Sequence, residues 1–122
     1  MPFSVIQWIM RIEHCAFGKI VVDSRTYSSD VILYPDRVDA TWRRKEGHYL
    51  EAADLTGVVN ANPDILIIGT GFWGVMVVPD ETVAFLGSKG ISVRVERTGK
   101  AAELFNQLGD GGTVVAALHL TC

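Results

Sequence analysis

The run Ile65-Leu66-Ile67-Ile68, followed at once by Gly69-Thr70-Gly71-Phe72-Trp73-Gly74, constrains this chain more than any other segment. Four consecutive branched apolar residues without alternation suit a strand covered on both faces, which requires a layer of structure on each side of its sheet. The glycines carry the letters of a dinucleotide-binding fingerprint where that strand should end, and Glu96 stands at the spacing of a ribose-binding acid. In a working fingerprint, however, the glycines lead straight into a helix whose first amides hold a pyrophosphate. Here the stretch Val75-Met76-Val77-Val78, closed by Pro79, reads as a second strand, and the next helix opens on Asp80-Glu81, whose charges repel phosphate. The loop is therefore predicted to be a strand-to-strand corner, with no cofactor assigned to it.

A chain of 122 residues is one domain, long enough to bury a continuous core without disulfide staples. Its 48% apolar and 20% charged composition excludes a disordered or fibrous chain. A net charge of −3 offers no global attraction to phosphate backbones, which argues against a nucleic-acid partner. Two cysteines, Cys15 and Cys122, are too few for a secreted disulfide scaffold and fit a cytoplasmic protein with free thiols, although a single bridge stays open on count alone. The apolar segment from Phe3 to Ile12 lacks a basic flank and a cleavage site and is too short to span a bilayer. Its periodicity fits both a helix and a strand. Its apolar surface needs cover from the domain's own core or from a partner chain, which makes it a candidate interface.

From Gly18 the pattern is β-rich. Strands are expected at Lys19 to Val22, Thr26-Tyr27, Val31 to Tyr34 and Val38 to Trp42, with turns at Asp23-Ser24-Arg25 and Ser28-Ser29-Asp30. Leu50 to Ala61 fits a helix stopped by Asn62-Pro63. A second helix runs from Pro79-Asp80-Glu81 to Gly90, a strand from Ile91 to Val95, and a third helix from an N-cap at Thr98 to Gly109-Asp110-Gly111-Gly112. Val114 to Leu120 closes the order as a strand. The fold class is α+β, with an α/β-like C-terminal half whose helix-between-strand spacing allows parallel pairing.

Several residue sets invite chemistry. The sequence His119-Leu120-Thr121-Cys122 suggests a Cys/His pair, but in a continuing strand positions 119 and 122 point to opposite faces. His119 is expected to hydrogen-bond locally. His14 and Cys15 with His119 and Cys122 lack the short ligand spacings of a structural zinc site, so no metal is assigned. Trp42-Arg43-Arg44-Lys45, with His48 and Tyr49, forms the basic cluster; it reads as a solvated loop or as a surface for an anionic ligand, its field offset by Glu46, Glu51 and Asp54. No Ser-His-Asp, HExxH, P-loop or paired Cys-x-x-Cys pattern names a reaction.

Taken together, Tyr27 to Ile32, Trp42-Arg43, Pro63 to Pro79 with Ile68-Gly69-Thr70-Gly71, Gly90 to Val93, and Ala117 to Cys122 carry a resemblance in order along the chain. The chain resembles the small Mth-type domain family, which includes the mitochondrial respiratory complex I assembly factor 3 branch, an adipogenesis-associated branch and many uncharacterised microbial proteins. The resemblance covers about residues 14 to 122 and leaves 1 to 13 as an apolar N-terminal extension. It implies a mixed sheet backed by helices with an additional β-rich layer, a three-layer fold, and it implies no catalytic mechanism. The family's Tyr-Asn pair in the last helix stands here as Phe105-Asn106. The leading expectation is a non-enzymatic binding or assembly-factor-like protein. Its alternative is a small-ligand binder or enzyme with a pocket between the Gly69 to Gly74 loop, the Arg43-Arg44 loop and His119. A homo-oligomeric module is a third. The candidate ligand or partner surface is Gly69, Thr70, Gly71, Phe72, Trp73, Arg43, Arg44 and His119.

Overall fold

The computed structural model describes residues 10–108 and 113–122. The apolar segment before Met10 and the glycine-rich stop at 109–112 lie outside the described residues. The first strands form an antiparallel three-stranded sheet, β1 (Ile12–Ala16), β2 (Lys19–Val22) and β3 (Arg25–Tyr27), in spatial order β1-β2-β3. Asp23 and Ser24 alone join β2 to β3, at φ +48° and +69°. Both central residues of a type I′ hairpin turn require positive φ, and the turn's twist matches that of the flanking strands. Phe17 and Gly18 likewise join β1 to β2, with Gly18 at φ +75°.

A five-stranded mixed sheet forms the centre, from β4 (Val31–Tyr34), β5 (Arg37–Asp39), β6 (Ile65–Gly69), β7 (Ser92–Glu96) and β8 (Val114–Leu118), in the order β5-β4-β8-β6-β7. The apolar run at 65–68 lies inside this sheet, parallel to the edge strand β7 on one side and to the middle strand β8 on the other. Leu66 and Ile68 face one core with Leu55, Val58, Leu86, Val115 and Ala117, while Ile67 faces a second with Ile20, Val22, Ala101, Phe105 and Leu118. The absence of alternation in the sequence thus has its expected cause.

Helix α1 (Thr56–Ala61), preceded by a 3-10 turn at Ala52–Leu55, and α2 (Asp80–Ser88) supply the first core. Helix α3 (Thr98–Leu108) and the three-stranded sheet supply the second. The connection β6-α2-β7 moves outward from β6 to the sheet edge and β7-α3-β8 returns past β6. Two crossovers of one hand running in opposite directions place their helices on opposite faces. Asn106 binds the small sheet to α3: its amide nitrogen donates to the Ile12 carbonyl at 2.7 Å and its oxygen accepts from the Ile12 amide at 2.9 Å. The neighbouring Phe105 is buried in the core, so the aromatic of the Phe105-Asn106 pair is a packing residue.

Three local expectations are corrected. Val75-Met76-Val77-Val78 is not a strand of either sheet. Its one ladder-like contact is an isolated parallel bridge between Val77 and Tyr49, because the segment turns outward to meet the His48–Leu50 loop, where Val77 donates to His48 at 2.8 Å and accepts from Leu50 at 2.9 Å. The strand expected over Val38 to Trp42 ends at Asp39, since Thr41 folds back through its amide and hydroxyl onto the Asp39 carboxylate. Thr98 is the first residue of α3, and its hydroxyl bonds across the fold instead of capping the helix.

Serine is costly at the left-handed Ser24 position, and glycine is not. Ser24→Gly keeps the amide that donates to the Glu13 carboxylate. It should raise unfolding free energy by about 0.5–1 kcal/mol, read as a higher midpoint in urea.

Candidate functional site

The parallel strands end together, at Gly69, Glu96 and Leu118. In sheets of this kind ligands meet the carboxyl ends of strands where neighbouring connections diverge. Here the glycine loop leaves β6, and the segment His119–Cys122 leaves β8 beside it. The two are sewn together. The His119 amide donates to Gly69 at 3.0 Å, the Phe72 amide to Thr121 at 2.8 Å, and the Val75 amide to Cys122 at 3.0 Å. A Cβ at Gly71, which sits at φ +101°, would overlap the Cys122 carbonyl. Glycine is therefore required there for the terminal segment to approach, and the loop amides that an anion would need are occupied by the chain itself.

The Thr98 hydroxyl lies beneath this corner, fully buried. It accepts from the Gly71 amide at 2.8 Å and donates to the His119 carbonyl at 2.6 Å, and the Thr98 amide donates to Gly71 at 3.1 Å.

On the other side of His119 the register of the central sheet assembles a charged cluster. Because β4 runs antiparallel to β8 with Val31 opposite Leu118, the residues one step beyond, Asp30 and His119, face each other. The return of β5 along β4 brings Ala40 to Arg44 to the same place, held by a Ser29 hydroxyl bond to the Ala40 carbonyl at 2.8 Å. Asp30 Oδ2 lies 2.8 Å from His119 Nδ1 and accepts from Arg44 Nη2 at 2.7 Å, while Oδ1 accepts from the Leu120 amide at 2.7 Å. Arg44 Nη2 also lies 3.1 Å from His119 Nδ1. An ionised carboxylate can only accept and a guanidinium can only donate, so a proton on Nδ1 makes the Asp30 contact a hydrogen bond and leaves the Arg44 Nη2 approach as a contact between two donors that share the Asp30 oxygen. His119 is thus oriented chiefly by a residue 89 positions away, with the local contact from Nε2 to the Thr121 hydroxyl at 3.5 Å secondary. His48 stands edge-on to its ring at 5.4 Å.

Burial on its own would raise the Asp30 carboxyl, but the hydrogen bonds from His119, Leu120 and Arg44 outweigh it and hold Asp30 down at about 2. Arg44, expected on a solvated loop, has a side chain only 5% exposed. Its Nε donates to the Gly47 carbonyl at 2.9 Å and its guanidinium lies 4.7 Å from the Trp42 ring centroid, while Trp42 is fixed in turn by an indole bond to the Asp54 carbonyl. Arg43 is exposed. A cavity of about 270 Å³ adjoins the pair, lined by Ser29, Asp30, Thr41, Trp42, Arg43 and Arg44 among others.

Of the eight residues singled out in the sequence, Gly69, Thr70, Gly71, Arg44 and His119 gather around this corner. Arg43 lies on the cavity side. Phe72 and Trp73 turn the other way, where Phe17 meets Trp73 at 5.0 Å and Phe72 at 6.4 Å between ring centroids. Trp73 is 62% exposed and Phe17 52%. Sequence reasoning leaves out Phe17, gives Thr98 only a capping role and places Asp30 in a turn; the proximity of Asp30 to His119 is a consequence of strand register.

Both cysteines carry free thiols, and burial pushes the Cys15 thiol up to about 11, which leaves it a weak nucleophile. No helix among the described residues is long and apolar enough to cross a membrane.

Comparison with known proteins places the architecture. The family of proteins of unknown function DUF498/DUF598 matches residues 12–119. A conserved hypothetical protein of Pyrococcus horikoshii is similar in structure, with a TM-score of 0.79 at 24% identity, over 93% of this chain and 100% of that one. A Bordetella pertussis protein described as a Mth938-like domain matches with a TM-score of 0.74 at 22% identity, over 98% and 92% of the two chains. A protein of Bartonella henselae described as an outer membrane protein matches with a TM-score of 0.79 at 23% identity, over 95% and 98%. These likenesses support the Mth-type three-layer fold.

Two substitutions test the site's construction. Thr98→Val keeps the shape but strips partners from a buried amide and a buried carbonyl, and should cost about 2–4 kcal/mol in urea unfolding, while Thr98→Ser should recover most of it. The Asp30 carboxyl lies below its ordinary value of 3.8 when folded, so its contribution is complete above 3.8 and is lost as pH falls toward about 2. With solvent screening allowed for, that contribution is roughly 1–2 kcal/mol. Asp30→Asn should lower stability at neutral pH and flatten the fall across that acid window.

Proposed function

The chain belongs to the DUF498/DUF598 family of proteins of unknown function, and we propose that it is a non-enzymatic binding protein, assembly-factor-like in mode, that docks a protein partner on the aromatic ridge of Phe17, Phe72 and Trp73. The observation that carries this reading is that two large rings stand mostly exposed on backbone that is itself fixed. Trp73 follows Gly71 and Phe72, both hydrogen-bonded from below, and Phe17 sits in a turn whose Gly18 amide donates to Leu120 at 2.7 Å. Exposed aromatic side chains on rigid supports are the usual anchors of protein interfaces, because they contribute much contact area and lose little conformational freedom. Val75 and Val77, also exposed, continue the apolar surface along the same loop. A partner with an apolar recess fits this surface, and a second copy of the chain is one such partner. Free thiols at Cys15 and Cys122 support a cytoplasmic setting.

The test is a paired capture from native extract with the full chain and with a Phe17→Ser, Trp73→Ala variant, alongside light scattering of the purified protein. Both positions are exposed, so the variant should keep its circular dichroism spectrum and melt. A partner, or self-association, retained by the native chain and weakened at least about tenfold in the variant is expected, since central aromatic anchors carry about 2 kcal/mol or more. Identical capture and identical mass for the two proteins would overturn the reading.

A further inference from the structure

We infer that the cavity beside Arg44 is a binding site for a small oxyanion of the carboxylate or phosphate class, separate from the aromatic ridge and independent of it. The argument begins with the guanidinium. Its Nε is bound to Gly47, its Nη2 to Asp30 and its face to Trp42, and its Nη1 is buried with no hydrogen-bond partner among the described residues. A buried donor on a charged group is costly when left unmade, and native proteins pair such groups with a ligand or a bound water. With Nε and Nη2 engaged, Nη1 is the guanidinium nitrogen left to donate, and those two bonds fix its orientation.

The surroundings favour an anion. Asp30 lines the same cavity, but its two oxygens receive three hydrogen bonds, from His119, Arg44 and Leu120, so its charge is engaged. Arg43 lines the cavity as well and leaves the pocket with a positive excess. The hydroxyls of Ser29 and Thr41 border it, both already donating, to Ala40 and to Asp39, so they remain available as acceptors for bridging water. The space is about 270 Å³, well above the roughly 10–15 Å³ that one water needs. That admits inorganic phosphate or a short carboxylate with a few waters, and it lies below the usual range for a drug-sized ligand.

The test is a two-dimensional amide NMR titration of the full chain with sodium phosphate and, separately, sodium acetate, each against sodium chloride at matched ionic strength. Saturating shifts are expected at the amides of Thr41, Trp42, Arg43, Arg44 and Gly47 and at the Trp42 indole. Arg43→Gln should weaken binding several-fold, and Arg44→Lys, which keeps a charge but loses the Nη1 donor, should weaken it roughly tenfold or more. Trp73→Ala should leave the titration unchanged, so a failed aromatic ridge and a failed anion site are told apart. Saturation by phosphate alone or by acetate alone identifies the class of source. Shifts that only follow ionic strength, or that saturate equally in Arg43→Gln, would overturn the site, and that variant decides the matter should Arg44→Lys fail to fold.

Discussion

The corner of the molecule depends on one hydroxyl. Thr98 stands where β7 ends and α3 begins, and its oxygen joins the amide of Gly71, beyond β6, to the carbonyl of His119, beyond β8. The three parallel strands are thereby fixed at one end by a side chain as well as along their ladders. In water each of these bonds would be exchanged for one to solvent at small net gain. Buried, with nothing else in reach, each partner would be left unpaired at a cost of about 1–3 kcal/mol. Gly69 shows how close the approach is: a Cβ there would come within 2.9 Å of both the Thr98 oxygen and Leu118. Crowding from the chain's own terminal segment accounts for Gly71, and the approach of Thr98 and Leu118 accounts for Gly69.

The ionic cluster next to it obeys a different balance. Burying Arg44 with Asp30 removes two charges from water, and such pairs frequently contribute little net stability against a well-packed apolar substitute. What the cluster contributes is orientation. Asp30 accepts from the Leu120 backbone as well as from two side chains, so it registers the terminal segment against the start of β4. Trp42 then supports the guanidinium from the opposite face, and the Asp54 carbonyl fixes the indole. Each member is held by backbone from another element, which makes the arrangement specific to this fold.

Legibility in the sequence followed the range of the interactions. The apolar run of β6 was readable because burial on both faces leaves a compositional mark, and the turn at Asp23-Ser24-Arg25 because polar turn residues interrupt the β pattern, although Arg25 itself pairs with Val22 in β3. The acidic start of α2 at Asp80-Glu81 was readable from the helix dipole. Val75 to Val78 misled because β-branched residues mark extended backbone, and extended backbone need not pair in a sheet. The Thr98 hydroxyl misled for a similar reason, since threonine before a helix is an ordinary cap and nothing local announces that its oxygen is used elsewhere. Asp30 and His119 were unreadable as a pair, because their meeting depends on which residue of β4 lies opposite which residue of β8. Arg44 belonged to a basic string that resembles any solvated loop, and only the return of β5 carries it inward.

The terminal segment is where these separate pieces become one surface. His119 touches Asp30 and Arg44 through its ring while its carbonyl is held by Thr98, and two and three residues later Thr121 and Cys122 hold the amides of Phe72 and Val75. The Leu120 carbonyl between them holds the turn that presents Phe17. Four consecutive residues therefore fix the pocket on one side and the aromatic ridge on the other, from backbone groups with no slack. Such an arrangement favours recognition by preformed shape over recognition by rearrangement, because the ordering cost is met during folding and not at the moment of binding. It also explains why the glycines, the buried arginine and the exposed tryptophan stand within one corner: a fixed backbone is the common requirement of all three.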